Sequence, residues 1–169
     1  PLQDILISVR ENIDVAPTNI MLSAAEMRLA TEYRREDRLA LAIKPIKEQY
    51  DVIFIDCPPS LGILTINALS AADGVVIPMS CDYYSLIGVH LLLDTIQRIT
   101  GQINPELRVI GVLPTRYDRR TLHSKEVLAG VRERLKGQIY VFDATIRESV
   151  RLKEAPIEGK TITEYMRSH

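Results

Sequence analysis

An acidic residue follows four apolar residues in the stretch YDVIFIDCPPSLG, which runs from Tyr50 to Gly62. Four consecutive apolar side chains, Val52 to Ile55, are typical of a strand covered on both faces, as in a parallel sheet. Asp56 would then lie at the carboxyl end of that strand, where ligands bind in open α/β folds. A carboxylate there can hold a hydrated magnesium ion beside the phosphates of a nucleotide. It can equally end the strand in solvent, and the pattern alone leaves both interpretations open.

Two groups of basic residues could contact phosphate. One lies in TRYDRRTLHSK, directly after a predicted strand, and the other lies in IRESVRLKEAP. Their members are Arg116, Arg119, Arg120 and Lys125 in the first group and Arg147, Arg151 and Lys153 in the second. Such side chains bind the phosphates of nucleotides or DNA, but they are also common in solvated loops. Because the net charge is -1, nucleic-acid binding would depend on local groups like these.

The stretch EGKTITEY contains Gly159-Lys160-Thr161, which looks like the end of a phosphate-binding loop. That loop needs a glycine five residues before its Gly-Lys pair, a preceding strand and a following helix. Here Glu154 occupies the glycine position and Pro156 interrupts the approach. We therefore predict no phosphate site in this stretch.

Strands and helices are predicted to alternate along the chain. Apolar runs predict strands at Asp51 to Asp56, Gly74 to Met79, Arg108 to Leu113 and Ile139 to Phe142, and more weakly at Ile13 to Ala16. Helices are predicted from a capping box at Ser23 and Glu26 through Arg34, around Pro45 toward Tyr50, from Tyr84 to Ile103 and around Val127 to Leu135. No closing helix is expected after Gly159. This order is typical of a parallel sheet with helices on both faces.

Composition limits the class of protein. A chain of 169 residues fits one domain, and its 25% charged and 46% hydrophobic residues are those of an ordinary globular protein. Because no apolar stretch approaches the roughly 18 residues that span a bilayer, we expect a cytoplasmic protein. Cys57 and Cys81 are far apart, which excludes a CxxC motif and favours two small buried thiols.

Together the motifs resemble the ParA/MinD group of deviant Walker-type ATPases, and specifically the ParA-like (Soj-like) partition proteins. The resemblance covers essentially all of the chain and rests on five stretches in order: ENIDVAPTNIMLSAAE, YDVIFIDCPPSLGILTINALSAAD, VVIPMSCDYYSLIGV, GVLPTRYDRRT and VRLKEAPIEGKTITEY. It implies an α/β, three-layer P-loop NTPase-like fold with a mostly parallel sheet and helices on both faces. It also implies ATP and Mg²⁺ as cofactors.

The resemblance implies a role for individual residues. Asp56 matches the catalytic Walker B aspartate, which supports Mg²⁺ through water, and Cys57 to Gly62, with Pro58, matches a switch loop that senses the γ-phosphate. The adenine pocket would be lined by Thr115 and Arg116 and, on its other side, by the loop from Ile146 to Ser149, which includes Arg147 and Glu148. Arg120 and Arg151 match arginines through which the ATP-bound dimer contacts DNA irrespective of sequence.

The sequence departs from this family at both ends. ParA-like ATPases begin with a strand, the glycine-rich Walker A loop and a first switch region, and they end in a further helix, none of which is found here. We therefore expect residues 1–169 to be a single, N-terminally incomplete ParA-like ATPase domain. Because the Walker A loop supplies the NH groups and lysines that hold phosphates, we expect the chain alone to bind ATP weakly.

The implied function is that of an ATPase of chromosome or plasmid partitioning. It would form a homodimer around ATP, bind non-specific DNA at the nucleoid, respond to a ParB-like partner and need no membrane. One alternative is a MinD-like, membrane-associated division-site ATPase, which would carry a basic amphipathic helix at its end. Another is a non-catalytic remnant that still binds partners. A phospho-accepting receiver domain is disfavoured, because it needs an acidic pair after its first strand and a lysine after its last.

Overall fold

The computed structural model describes residues 1–19 and 21–168 and has two compact units. The first unit comprises Pro1–Val75 and Leu92–Arg108, and the second comprises Val76–Leu91 and Val109–His169. Two strands and one long helix contribute residues to both units. Each unit has its own buried apolar residues and is described by itself.

The first unit combines a hairpin with short helices. The strands β1 (Ile7–Arg10) and β2 (Ile13–Val15) pair in antiparallel register, and Asn12 makes the turn with a φ of 59°. The α-helices that follow are α1 (Leu22–Leu29), α2 (Arg38–Ile43) and α3 (Ile63–Ala71), with 3-10 turns at Leu2–Ile5, Arg35–Asp37 and Lys47–Gln49. The buried apolar residues of this unit are Ile43, Ile46, Ala68, Leu69, Ile96, Ile99 and Leu107.

The buried side chain of Asn67 on α3 holds the helices of the first unit together. Its Nδ2 donates to the carbonyl oxygens of Arg35 at 2.7 Å and Ile63 at 2.8 Å, and its Oδ1 accepts from the N–H of Leu39 at 3.0 Å. Leu39 lies in the first turn of α2, where N–H groups have no partner within the helix. Asn67 therefore caps α2 from a neighbouring helix.

The second unit is built on two neighbouring strands. They are β3 (Gly74–Ser80) and β4 (Arg108–Thr115), which are hydrogen-bonded neighbours joined through α4 (Tyr83–Gln102). The chain continues through α5 (Leu122–Leu135), α6 (Arg151–Glu154), a 3-10 turn at Ala155–Glu158 and α7 (Ile162–Ser168). Its most buried residues are Met79, Val112, Pro114, Val131 and Leu135.

Several predicted elements are confirmed. The strand predicted from Gly74 is β3, the one from Arg108 is β4, and the weak candidate at Ile13 is β2. The long helix predicted from Tyr84 begins one residue earlier as α4, and α5 contains the predicted apolar positions. The segment from Ile139 to Phe142 forms only an isolated parallel bridge between Val112 and Val141 rather than a full strand.

The prediction of a strand from Asp51 to Asp56 is wrong. This segment has no regular secondary structure, and Val52 and Phe54 are 64% and 93% exposed. Within the described residues no strand pairs with it, although a strand requires a hydrogen-bonded neighbour. The apolar run predicted a buried strand. Burial of a strand depends on the strands and helices packed beside it, and a local sequence pattern does not reveal these neighbours.

Three further predictions need correction. The first long helix ends at Leu29 rather than Arg34, and its N-cap is Met21; the side chain of Ser23, predicted to cap it, lies outside the described residues. A closing helix, α7, follows Gly159, although none was predicted. Cys81 is buried as expected, but Cys57 is exposed because its segment is not covered.

Candidate functional site

The loop from Asp56 to Gly62 follows the apolar run and leads directly into α3. Asp56 and Pro58 are both exposed, and no cation lies within ion-pair distance of the Asp56 carboxylate in the described part of the chain. At the far end of the loop, Thr65 donates a hydrogen bond from Oγ1 to the carbonyl oxygen of Ser60. Gly62 is the N-cap of α3, and its carbonyl oxygen accepts from Ile66 N–H at 3.1 Å. The loop is thus held by hydrogen bonds at its helix end, whereas Asp56 at its other end is exposed to solvent.

The residues around Asp56 fit a magnesium ion bound mainly through water. Among the described residues no group of three or more His, Cys, Asp or Glu side chains could hold a metal by itself. Magnesium differs from zinc in this respect, because it keeps several waters and needs only one or two carboxylates beside the phosphates of a substrate. A single exposed carboxylate is therefore compatible with Mg²⁺ that arrives with a nucleotide.

The thiol of Cys57 lies next to Asp56 in this loop. Partial desolvation of the sulfur raises the pKa of Cys57, and the negative charge of Asp56 raises it further. Both effects disfavour the thiolate, which is the nucleophilic form of cysteine. Cys57 is therefore an accessible thiol of low reactivity, and nothing in its environment indicates a catalytic nucleophile.

The end of β4 and the segment from Ile146 to Glu148 come together in the second unit. The N–H of Ile146 donates to the carbonyl oxygen of Pro114 at 2.8 Å, and Tyr117 N–H donates to the carbonyl oxygen of Ile146 at 3.1 Å. Tyr117 and Arg147 form a parallel bridge. Two segments that were predicted to line one pocket are therefore held side by side by main-chain hydrogen bonds, which fix the neighbouring Thr115 and Arg116.

The side chains at this meeting point are two cations that share one carboxylate, so their sum is a net positive charge. Arg116 Nε lies 3.8 Å from Glu148 Oε2, and Lys153 Nζ lies 3.2 Å from Glu148 Oε1. Arg116 has a φ of 50°, which is uncommon for a residue with a Cβ and is often found at functional positions. Because one carboxylate sits between two cations, Glu148 offsets only part of their positive charge and holds both side chains at this place.

Arg120 is held by the carboxylate of Asp118, the acidic residue within the first basic group. Its Nε and Nη2 donate to the two carboxylate oxygens of Asp118 at 3.1 and 3.0 Å. These bonds lower the pKa of Asp118 and raise that of Arg120. Asp118 Oδ1 also accepts from the N–H of Arg120, the Asx-turn arrangement that Asp favours at i, i+2. The Asp-x-Arg spacing in the sequence could therefore have predicted the pairing of Asp118 with Arg120.

The two arginines predicted to contact DNA are both exposed. Arg120 precedes α5, and Arg151 is the first residue of α6. No hydrogen bond or ion pair joins them within the described residues. Arg147, which shares the second basic group, instead takes part in the bridge to Tyr117. Both Arg120 and Arg151 lie in the second unit, whereas Asp56 and Pro58 lie in the first.

The stretch Gly159-Lys160-Thr161 forms a helix boundary. Gly159 has a φ of 63° and ends the 3-10 turn at Ala155–Glu158. Thr161 and Glu164 then form a capping box at the start of α7: Glu164 Oε2 accepts from Thr161 N–H at 2.7 Å, and Thr161 Oγ1 accepts from Glu164 N–H at 3.3 Å. The absence of a phosphate site in this stretch stays a prediction. No helix in the described residues is long and apolar enough to cross a membrane.

Comparison with known protein families gives one domain match. The family AAA_31, described as an AAA domain, matches residues 1–109. This range includes Asp56 and the loop that follows it.

Two curated bacterial proteins are similar over nearly the whole chain. The sporulation initiation inhibitor protein Soj of Bacillus subtilis is 45% identical over 155 residues, which are 92% of this chain and 60% of Soj. The chromosome partitioning protein ParA of Myxococcus xanthus is 42% identical over 166 residues, which are 98% of this chain and 58% of that protein. The chain thus spans less than two thirds of the length of either relative.

A solved structure with a bound nucleotide is also similar. Cobyrinic acid a,c-diamide synthase from Mycobacterium smegmatis, with bound ADP and magnesium, superposes with a TM-score of 0.80 at 37% identity. The match covers 88% of this chain and 60% of the synthase.

Proposed function

This chain belongs to the AAA domain family and to the ParA/MinD group of P-loop ATPases, and on that premise we propose that it acts as a ParA-like ATPase of chromosome or plasmid partitioning. Its fold is the α/β fold of P-loop ATPases. The proposal treats residues 1–169 as one ATPase domain that works with ATP and Mg²⁺. The observation that carries it is the 45% identity with Soj over 92% of the chain.

The proposed catalytic part is the loop that begins at Asp56. A magnesium ion bound with ATP would neutralise charge on the phosphates, and Asp56 would hold it by accepting hydrogen bonds from its water ligands. The open carboxylate suits this role because no side chain of the described residues competes for it. Cys57 to Gly62, with Pro58, would form the switch loop, since it lies between Asp56 and the anchored start of α3.

The proposed base-binding part is the junction of Thr115 and Arg116 with Ile146 to Glu148. Main-chain hydrogen bonds within the chain itself join the two segments of this junction. Glu148 pairs with both Arg116 and Lys153 and leaves a net positive charge beside the junction, which suits a nucleotide because nucleotides are anions. Ile146 is 44% exposed and can offer an apolar surface to the base.

The proposed partners are DNA, a second copy and a ParB-like protein. Arg120 and Arg151 would contact phosphates of non-specific DNA, because both residues are exposed and phosphate contacts do not depend on the base sequence. The ATP-bound homodimer would hold DNA at the nucleoid in the cytoplasm, and hydrolysis stimulated by the ParB-like partner would release it. Similarity to Soj and to the chromosome partitioning protein ParA supports these steps by analogy.

The test is MgATP binding with and without the Asp56 carboxylate. Asp56→Ala should weaken MgATP binding by about tenfold or more, because it removes the protein's carboxylate for Mg²⁺. Asp51→Ala is the matched control, since Asp51 is an exposed aspartate at the other end of the same apolar run. Binding is measured by calorimetry or a fluorescent nucleotide on this chain and, where its gene extends further, on the whole encoded protein.

The outcomes separate the proposal from its rivals. Loss of magnesium-dependent binding in Asp56→Ala, with Asp51→Ala unchanged, supports the ATPase proposal. Equal MgATP affinity of the parent protein and both variants would refute the role of Asp56. If the whole encoded protein binds a partner but no nucleotide, the proposal fails in favour of a non-catalytic binding protein.

A further inference from the structure

The side chain of Glu26 lies against the end of the loop that follows Asp56. A Cβ placed on Gly62 would be only 2.5 Å from Glu26 Oε1, so the carboxylate fills the space beside the Gly62 α-carbon. The φ of Gly62 is -77°, a value that any residue adopts. A side chain at this position would therefore displace the Glu26 carboxylate, which is the far end of a flexible side chain, without straining the backbone.

The position of Glu26 on α1 explains how it reaches the loop. Ala25, Glu26 and Leu29 are the half-buried residues of this helix that repeat at helical spacing, whereas Met27 and Arg28 are exposed. This half-buried face packs against α3. Gly62 provides no side chain to cap α3, and a carboxylate near the first turn of a helix has a favourable interaction with its free N–H groups. Glu26 therefore contributes both shape and negative charge at the point where the loop becomes helix.

We propose that Glu26 is a positioning residue for the loop Cys57–Gly62, which it fixes by docking its carboxylate against Gly62 at the start of α3. Its importance for catalysis rests on the proposed ATPase function, but its effect on the loop does not. Loss of the contact frees the end of the loop that Thr65 and Glu26 hold in place. Asp56 then loses its fixed placement relative to α3.

The alkylation rate of Cys57 reports how firmly this loop is held. Cys57 is exposed, but its sulfur is still partly desolvated by the loop, and release of the loop would restore solvent and make the thiol easier to alkylate. Cys81 is buried in the second unit and reports global unfolding instead. Alkylation by iodoacetamide at pH 7.5, followed by mass spectrometry of each cysteine, therefore distinguishes local from global effects.

Four variants test the proposal without any nucleotide. Glu26→Ala and Gly62→Ala should each raise the alkylation rate of Cys57 by about threefold or more and leave Cys81 unchanged, because each removes the same local contact. The double variant should be no faster than either single variant. Glu26→Gln should stay within about twofold of the parent, because its amide has nearly the same size and keeps an acceptor oxygen. Glu48→Gln, an exposed glutamate of the same unit, is the matched control.

Two results would overturn the positioning role. One is an unchanged Cys57 rate in Glu26→Ala, and the other is a parallel increase at Cys57 and Cys81, which would mean general destabilisation. Because the assay contains no nucleotide, a failure of MgATP binding would refute the proposed ATPase function and leave this test valid. An increase at Cys57 alone, with rescue by Glu26→Gln, supports the proposal.

Discussion

The ion pair between Asp118 and Arg120 determines what the arginine can contribute to binding. A phosphate that approaches Arg120 meets a guanidinium group that already donates two hydrogen bonds to a carboxylate. Both side chains are accessible to solvent, so the pair is screened by salt and contributes little to stability. Asp118 therefore acts mainly on binding, because it orients Arg120 and also repels the phosphate that Arg120 would hold.

Substitution of this pair should change DNA affinity in opposite directions. Arg120→Ala should weaken binding to non-specific duplex DNA and lower the salt slope by about one, as expected for one lost phosphate contact. Asp118→Asn should strengthen binding by about threefold or more at low salt, because it removes a negative charge while its amide oxygen still accepts from Arg120. Fluorescence anisotropy over a salt series in the presence of MgATP measures both effects.

The control for Asp118→Asn is Asp143→Asn, which makes the same change in net charge beside a different arginine, Arg132. Because the pKa of Asp118 is lowered, the pair is present above the ordinary aspartate pKa of about 3.9 and is lost only as pH falls through the lower folded value. The effect of Asp118→Asn should therefore be the same at pH 6 and pH 8. Weaker DNA binding by Asp118→Asn would show that orientation outweighs repulsion.

Among the secondary-structure elements, β4 depends on a close approach that only glycine permits. A Cβ on Gly111 would lie 2.8 Å from the carbonyl oxygen of Tyr140 and 2.9 Å from Cε2 of Phe142. The rings of Tyr140 and Phe142 also pack edge to face with centroids 5.1 Å apart, so neither can move without disturbing the other. The main-chain bonds between Val112 and this segment need the same short separation.

Gly111→Ala should therefore destabilise the protein by about 1–3 kcal/mol, the usual cost of excess volume in a packed site. Gly130→Ala is the matched control: Gly130 lies in α5 of the same unit, with no atom within 4 Å of the added Cβ. That variant should stabilise the protein by about 0.5–1 kcal/mol, because alanine loses less conformational freedom than glycine in a helix. Urea unfolding measures both, and equal midpoints would contradict the close-approach argument.

The secondary-structure elements that were predicted correctly from the sequence are those whose buried residues recur at a regular, short spacing. Val131 and Leu135 are spaced for one face of a helix, and both are only 1% exposed in α5. The strand from Arg108 was also predictable, because β3 and the segment around Val141 both pair with it. Asp51 to Asp56 has an equally strong pattern, but no described strand pairs with it, and a sequence window carries no information about pairing.

Part of the candidate site could also be predicted from the sequence. Motif resemblance indicated Thr115, Arg116 and the segment from Ile146, and main-chain hydrogen bonds join these segments, while their role as an adenine pocket stays a prediction. The Asp-x-Arg spacing could have indicated the role of Asp118, whereas the role of Glu26 depends on a partner that is distant in the sequence. Glu26 reaches Gly62 over a separation of 36 residues, and no periodicity or short motif encodes such a contact.

At the scale of the whole molecule, exposed apolar surface is the main departure from an ordinary globular protein. Phe54 is 93% exposed in a run of apolar residues, and Ile7, Val9 and Ile13 of the strands β1 and β2 are also exposed. Among the described residues, no main-chain hydrogen bond joins Val52 to Ile55 with another segment. Unpaired main chain that carries apolar and aromatic side chains favours pairing between molecules.

We expect the isolated chain to self-associate through this segment as its concentration rises. Phe54→Lys should lower the self-association by about threefold or more, because a charge on an unpaired segment opposes contact between copies. Tyr33→Lys is the control, since Tyr33 is also an aromatic residue of the first unit, 85% exposed, but lies outside the run. Sedimentation velocity over a range of concentrations measures the association, and the same dependence for both variants would mean that association does not involve Val52 to Ile55. If Phe54→Lys alone is less associated, the unpaired apolar run is the cause.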